Sequence, residues 1–445
     1  MAAAAEAAIA AGRFGLGARP GELARIGRDP RGWILDQIRR PGPPPAALAG
    51  LPASQAVTEQ LMAARQGGPK EVKKLVREKL REIYIAEAGA RLRAAIDSDR
   101  PVVERLVHFW SNHFTVSVRQ KVAVLGIAGA FEREAIRPHV LGSFEDLLVA
   151  VVSHPAMLLY LDNAQSIGPN SRAGQRAKRG INENLARELM ELHTLGVDGG
   201  YSQADVTELA KILTGWSVVP KRQPDPGAFR FFQPAHEPGP KMLLGLRYEE
   251  GGQQEGLAAL HALSVHPATA RFVATKLARH FIADTPPPDA VQRLAKSFRE
   301  SRGDLAAVMA TLISLPQVWA DPLPKIKSPS DLVISSLRAC GGYQGADKPL
   351  VGSLMALDQP PFQALQPSGF ADQASAWIGP ESLVRRIEWV QAAAARLPVP
   401  DDIVARGEDV LGPLLTADTK TAIRRAPSPA EGLAMLLASP EFQRR

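Results

Sequence analysis

The sequence is short of the features that usually announce a function. It has one cysteine, Cys340, in 445 residues, so no disulfide forms within the chain and no C-x-x-C motif exists. Cys340 closes an apolar run, SSLRACGGY, with no histidine near it in sequence, and reads as a buried, inert thiol. No apolar run reaches the roughly 18 residues that a bilayer crossing needs; the longest, 147–161, is broken by Ser153-His154-Pro155. There is no P-loop, no G-x-G-x-x-G after a strand, no H-E-x-x-H and no G-x-S-x-G, which argues against the common nucleotide, zinc-protease and serine-hydrolase chemistries. The first residues, MAAAAEAAIAAGRFGLGARP, lack a basic n-region and carry Glu6, so they read as a short amphipathic helix rather than a secretory signal. On that reading the protein is cytoplasmic by default, or exported with a partner. The excess of one charge sign is small too. Against 53 Lys+Arg stand 46 Asp+Glu, a net +7 that permits an anionic partner without demanding one.

What is present is helical. The chain is 45% hydrophobic, ample for a core, and long enough by itself for two or three domains. Residues 70–97 form a long amphipathic helix whose outer face mixes lysines and arginines with Glu71, Glu78 and Glu82, the pattern of a solvated face more than of a nucleic-acid surface. On the next helix Val102, Leu106, Phe109, Trp110 and His113 project to one side, His108 and Asn112 to the other. Between 219 and 250, prolines interrupt the helical pattern. Residues 228–232 and 242–246 are strand-like, which predicts a small β-hairpin excursion near 228–246 on an all-α, multi-helix body, with His236-Glu237 at its tip. Residues 163–180 read as a mobile basic loop carrying Arg172, Arg176, Lys178 and Arg179, either a lid or a plain surface loop. The Pro- and Gly-rich segment 357–379 carries Phe362, Phe370 and Trp377, and such loops line pockets or cap cores.

The chemically densest stretch is 181–218, read as helix, tight loop, helix. Gly196 suits the left-handed position after a helix, and Ser202 with Asp205 makes a capping box. Asn184, Arg187, Glu188 and Glu191 share one face, so Glu188, Glu191 and His193 are candidates for a catalytic or metal site, with a divalent metal as its cofactor. At about 100° per residue a straight helix places His193 well away from both glutamates. The plainer alternative is a lattice of i, i+4 pairs, Glu183–Arg187 and Arg187–Glu191. His113 is the outside candidate to join the site, and His236 and Glu237 are candidate ligands or bases from the loop. Downstream, Arg271, Lys276 and Arg279 share a helix face with His280 and are candidates to bind an anion, or to pair with Glu188 and Glu191.

The central stretch NENLARELMELHTLGVDGGYSQADVTELAKILTGW resembles the signature of a family catalogued as domain of unknown function 1800. So do GRFGLGARPGEL at 12–23, FWSNHFTVS at 109–117, HPAMLLYLDN at 154–163, HPATARFVATKLARHF at 266–281 and SPEFQRR at 439–445. The resemblance covers nearly the whole chain. It implies a single family domain over 1–445, with possible sub-lobes at 1–162, 181–250 and 251–445, and a mostly helical bacterial protein often encoded beside a secreted partner. It carries over no catalytic residue. In the family His236 is typically followed by Asp; here Glu237 lengthens the carboxylate's reach. Two functions stand out: a binding or accessory protein of the cell envelope working with a protein partner, and a metal-dependent hydrolase using the Glu/His candidates. Nucleic-acid binding, resting on the basic helix and loop alone, ranks below both.

Overall fold

Several helix starts among the described residues are capped by short polar side chains, such as Ser143, Ser202, Asp304 and Ser328, and two by histidine. In His154-Pro155-Ala156 and His266-Pro267-Ala268 the imidazole Nδ1 accepts the amide hydrogen two residues on (3.1 and 3.2 Å), and proline fills the first helical position. Proline forfeits no hydrogen bond there, and the ring nitrogen takes the place of the usual serine or aspartate oxygen. His154 Nε2 also meets Glu134 (3.0 Å), whose carboxylate accepts from the amide and hydroxyl of Ser54. Burial alone would raise the Glu134 carboxyl; the hydrogen bonds from His154 and Ser54 outweigh it and pull the group down to about 2. Replacing His154 by alanine removes a cap and leaves Glu134 short of a donor. The expected cost is about 1–3 kcal/mol in a denaturant titration, whereas His261→Ala, which breaks only an exposed pair with Glu145, should cost under about 1 kcal/mol.

The computed structural model describes residues 2–119, 121–177, 180–320 and 323–445. Over the described residues the protein is mainly α, 62% helical, with two small two-stranded antiparallel sheets. The elements that position the site are α1 (Arg81–Asp97), α2 (Pro101–His113), α3 (Asn184–Glu188), α4 (Gln203–Ile212), α5 (Gln253–Ser264), α6 (Pro267–Phe281), α7 (Pro329–Ala339) and α8 (Pro380–Ala394). One apolar core joins residues from Ala7 to Phe442. The stripes read from periodicity lie in it, Val102, Leu106, Phe109 and Trp110 on α2 and Val206, Leu209 and Ala210 on α4. The Ser202–Asp205 capping box forms, and Gly196 takes φ +83°.

The β excursion consists of two separate sheets. β1 (Trp216–Val218) pairs with β2 (Phe229–Phe231), and β3 (Lys241–Leu243) with β4 (Leu246–Tyr248). The two strand-like runs thus pair with flanking segments and not with each other. Leu244 and Gly245, at φ +51° and +75°, close the second sheet, since two left-handed residues suit the twist of a tight hairpin. The loop at 163–180 is docked on this excursion. Gly168 N donates to Ala235 O (2.9 Å) and Asn170 N to the Glu237 carboxylate (3.0 Å), ahead of a short helix, Arg172–Ala177. Of the basic residues read into the loop, Lys178 and Arg179 lie outside the described residues.

Candidate functional site

α2, α6, the start of α7 and residues 359–373 enclose a cavity of about 450 Å³. α2 contributes His108, Phe109 and Asn112; α6 contributes Lys276, Arg279 and His280. At the start of α7, Ser328 Oγ accepts the amide of Asp331 (3.1 Å), a cap that brings Ser330 and Asp331 to the cavity wall. The fourth wall is the aromatic-bearing segment, and it is stapled in place. Tyr84 OH donates to Pro361 O (2.9 Å), Val118 N to Phe362 O (2.9 Å) and Trp377 Nε1 to Ala371 O (3.0 Å). Asn112 grips the Phe370 backbone from both sides, donating to its carbonyl (2.9 Å) and accepting from its amide (2.8 Å). Gly369 makes that approach feasible: its φ is +81°, and a Cβ there would stand 2.4 Å from Asn112 O. Gly369→Ala should therefore loosen the wall and cost about 1–3 kcal/mol by denaturant titration.

The deep end of the cavity is a buried charge network. Asp331 lies between two guanidiniums, Arg105 Nη1 at 3.2 Å from Oδ1 and Arg445 Nε at 3.0 Å from Oδ2. Arg105 also donates to the Gly12 and Gly15 carbonyls. Arg445 Nη1 donates to His280 O (3.0 Å), and its Nη2 stands 3.5 Å from Asp372. Asp372 accepts from His280 Nδ1 (2.8 Å) and lies 3.5 Å from Lys325 Nζ, which also binds Asp284 (2.8 Å). Arg445 arrives because residues 443–445 run antiparallel beside 325–327, with Lys327 N on Gln443 O and Arg445 N on Lys325 O, both 2.9 Å.

Burial would raise both carboxyls; Arg105 and Arg445 hold Asp331, and His280 and Arg445 hold Asp372, far below the ordinary carboxylate range. Burial lowers His280 to about 4 even against the pull of Asp372. Its imidazole is therefore neutral near pH 7, with the proton on Nδ1 toward Asp372 and Nε2 left as an acceptor. Lys276 and Arg279 differ from the other cations. Among the described residues neither has a carboxylate within ion-pair distance. Lys276 Nζ stands 5.6 Å over the Phe272 ring, and Arg279 has a long hydrogen bond from Nε to Asp284 O (3.4 Å). Burial brings Lys276 down to about 8, with Asp372 opposing and Arg279 adding to the fall.

The residues singled out from sequence are spread over three places. Glu188 and Glu191 stand half-exposed, on α3 and on the wide π-turn Leu189–His193 that continues it, while His193 turns into the core. The π-turn closes with Thr194 Oγ1 on Leu189 O (2.7 Å), so the glutamates and the histidine do not meet. Arg187 pairs with Glu183 (2.9 Å) and Gln203, not with Glu191. Burial, and then the Glu191 charge, raise Glu188. Among the described residues, no three His, Cys, Asp or Glu side chains gather in an arrangement that could hold a metal ion. His113 does reach His193, Nε2 to the carbonyl at 3.1 Å and ring to ring at 6.1 Å. Both rings are neutral, because burial and then Lys276 take His113 well below its ordinary range and His193 to about 3.

His236 and Glu237, expected at a loop tip, are buried, because the proline-rich excursion folds back onto the body. His236 Nδ1 lies 3.0 Å from Thr214 O and Nε2 3.1 Å from Glu255, and Lys241 bridges Glu255 (3.1 Å) and the Glu237 carbonyl (2.6 Å). The Glu237 carboxylate instead holds Asn170, so the two neighbours serve different partners. Of the cationic face on α6, Lys276 and Arg279 reach the cavity, Arg271 is exposed elsewhere, and no pair forms with Glu188 or Glu191 among the described residues. Arg105, Asp331, Asp372 and Arg445 were not read as site residues. The nearest signals were Ser328-x-x-Asp331, which reads as a cap alone, and the conspicuous SPEFQRR segment.

Fold and site together define a mainly helical protein built around a cation-rich, partly aromatic cavity. The chain belongs to the family described as protein of unknown function (DUF1800), whose model matches residues 9–444. No curated protein and no solved structure matches it. No helix among the described residues is long and apolar enough to cross a membrane.

Proposed function

We propose that the protein binds a small anion in the cavity between α2, α6, α7 and residues 359–373. The observation that carries this reading is the Lys276–Arg279 pair. Arg105, Arg445 and Lys325 each have a carboxylate within ion-pair distance, whereas these two cations, one helical turn apart, have none among the described residues. A cation partly withdrawn from water without a counter-charge close by is costly, and an anion entering from solvent removes that cost. The volume falls within the range of about 300–1,000 Å³ of small-molecule sites, and Phe109, Phe362 and Phe370 give an apolar body something to pack on. The cavity draws on residues from 91 to 445, so we read the chain as one functional unit. The test is a thermal-shift series with phosphate, citrate and benzoate at fixed ionic strength, beside glycerol as a neutral control. The anions should raise the melting temperature of the wild type and not of K276Q or R279Q. Equal shifts in all three proteins would contradict the reading.

A second reading, a cell-envelope binding or accessory protein acting with a protein partner, is supported by a different surface. Ile378, Leu383, Val384 and Ile387 are exposed at the start of α8 and beside it, an apolar face larger than scattered single residues give. A photo-crosslinking residue at Val384, used in the native host, should capture one identified protein and lose it in I387E. Crosslinks only to a second copy of the chain would count against this reading.

A further inference from the structure

The anion site lies beside buried polar atoms that the protein leaves unmet. His280 Nε2, His108 Nε2 and Ser330 Oγ are shielded from solvent without a hydrogen-bond partner among the described residues, and all three side chains belong to the cavity wall. Buried polar groups are almost always hydrogen-bonded, to protein or to water, so three unmet atoms in the wall of one cavity are places where water or a ligand's polar groups can bind. The chemistry of His280 is the most specific. Asp372 takes the Nδ1 proton at 2.8 Å, which leaves Nε2 as a bare acceptor facing away from Asp372. The ring stays in that form near pH 7, since burial lowers its proton affinity. Phe109 packs on it, ring centroids 5.2 Å apart, and fixes its orientation. A simple inorganic anion fully deprotonated has nothing to give this nitrogen. A ligand that carries its charge at one end and hydroxyl groups along its body does.

We infer that the ligand is a hydroxylated anion of the sugar-acid or sugar-phosphate class, its charged end held by Lys276 and Arg279 and one hydroxyl donating to His280 Nε2. Ser330 and His108 would receive further hydroxyls along the same wall, and the Phe109 and Phe362 rings would pack on the carbon skeleton. Asp372 is the positioning residue: it touches the imidazole and not the ligand, and selects the tautomer that accepts. This inference rests on the anion-binding reading and narrows it.

The experiment is a calorimetric titration of the whole protein with gluconate and hexanoate, two six-carbon carboxylates that differ in their hydroxyls, together with glucose 6-phosphate and inorganic phosphate. Gluconate should bind about tenfold or more tighter than hexanoate, and glucose 6-phosphate tighter than phosphate by a similar factor, because a site built to hydrogen-bond a hydroxyl discriminates against the analogue that lacks it. In H280F that preference should shrink to within about twofold while inorganic phosphate binds as before. S330A, which alters no charge and leaves the Asp372–His280 contact intact, should reduce the preference in part and guards against a folding defect in H280F. Hexanoate binding as well as gluconate, with phosphate still bound, would overturn this inference and leave the anion site standing. No binding of any of the four would overturn both.

Discussion

Asp331→Ala should destabilise the fold by about 3–5 kcal/mol, the cost of removing one partner from a buried ion pair. The aspartate compensates two guanidiniums at once, Arg105 and Arg445, each almost wholly buried. Arg105 keeps its bonds to the Gly12 and Gly15 carbonyls in the variant, so it cannot leave without breaking the contact between α2 and the chain's first helical turns. Arg445 retains Asp372 at 3.5 Å and the His280 carbonyl, which limits the loss at that end. The matched control removes charge from both sides. Asp331→Leu combined with Arg105→Met leaves Arg445 alone at that contact, still facing Asp372 at 3.5 Å, and should recover part of the loss. Denaturant titration of the three proteins checks this. A loss below about 1 kcal/mol in the single variant would match an exposed pair and contradict the buried network.

Acidification should unfold the protein between roughly pH 6 and pH 4 with a steep transition. His193 is lowered to about 3 and His280 to about 4, and His108 and His113 lie well below their ordinary range, burial being the first cause in each. These groups are neutral in the folded protein and take up protons near pH 6.5 when unfolded. Their contribution is therefore fully present above about pH 6.5 and is lost as pH falls toward the folded values. Each group contributes about 1.4 kcal/mol per pH unit over that interval. Asp331 and Asp372 act lower down: their depressed carboxyls add stability above about pH 4 that is lost on further acidification. Far-UV circular dichroism against pH should show loss of helix beginning below about pH 6.5. His193→Phe should shift the midpoint to lower pH, because one neutral-only group is gone. A transition that starts only below about pH 4 would mean that carboxylates alone govern it and that the histidines are not buried as described.

The parts of this protein that could be read from sequence are those decided within a few residues. The capping box at Ser202–Asp205, the left-handed Gly196 and the core stripe of α2 are local matters of turn chemistry and periodicity, and all are present. The pairing of the strand-like runs was not legible, because Leu244-Gly245 lacks the Asn-Gly or Asp-Gly signature that normally marks such a turn. The cavity was half legible. Lys276 and Arg279 stood out with Arg271 as a cationic face that could bind an anion or pair with Glu188 and Glu191, and the segment 357–379 as one that lines a pocket or caps a core, but nothing in their spacing placed them together. Arg105, Asp331, Asp372 and Arg445 each look like an ordinary surface charge on their own element. They become a site only because residues 443–445 lie beside 325–327 and the Asn112–Phe370 clamp brings Asp372 to His280. Glu188, Glu191 and His193 misled for the opposite reason. They are close in sequence, and the π-turn sends them to different sides.

The central claim, an anion site on Lys276 and Arg279, is tested most directly by calorimetric titration of inorganic phosphate into the wild type and into K276Q/R279Q across a range of pH. The account predicts one phosphate per chain for the wild type, at least about tenfold weaker binding in the double variant, and wild-type affinity that declines as pH rises through about 8, where Lys276 loses its proton. Equal affinity in the two proteins, with no change through that pH, would contradict it.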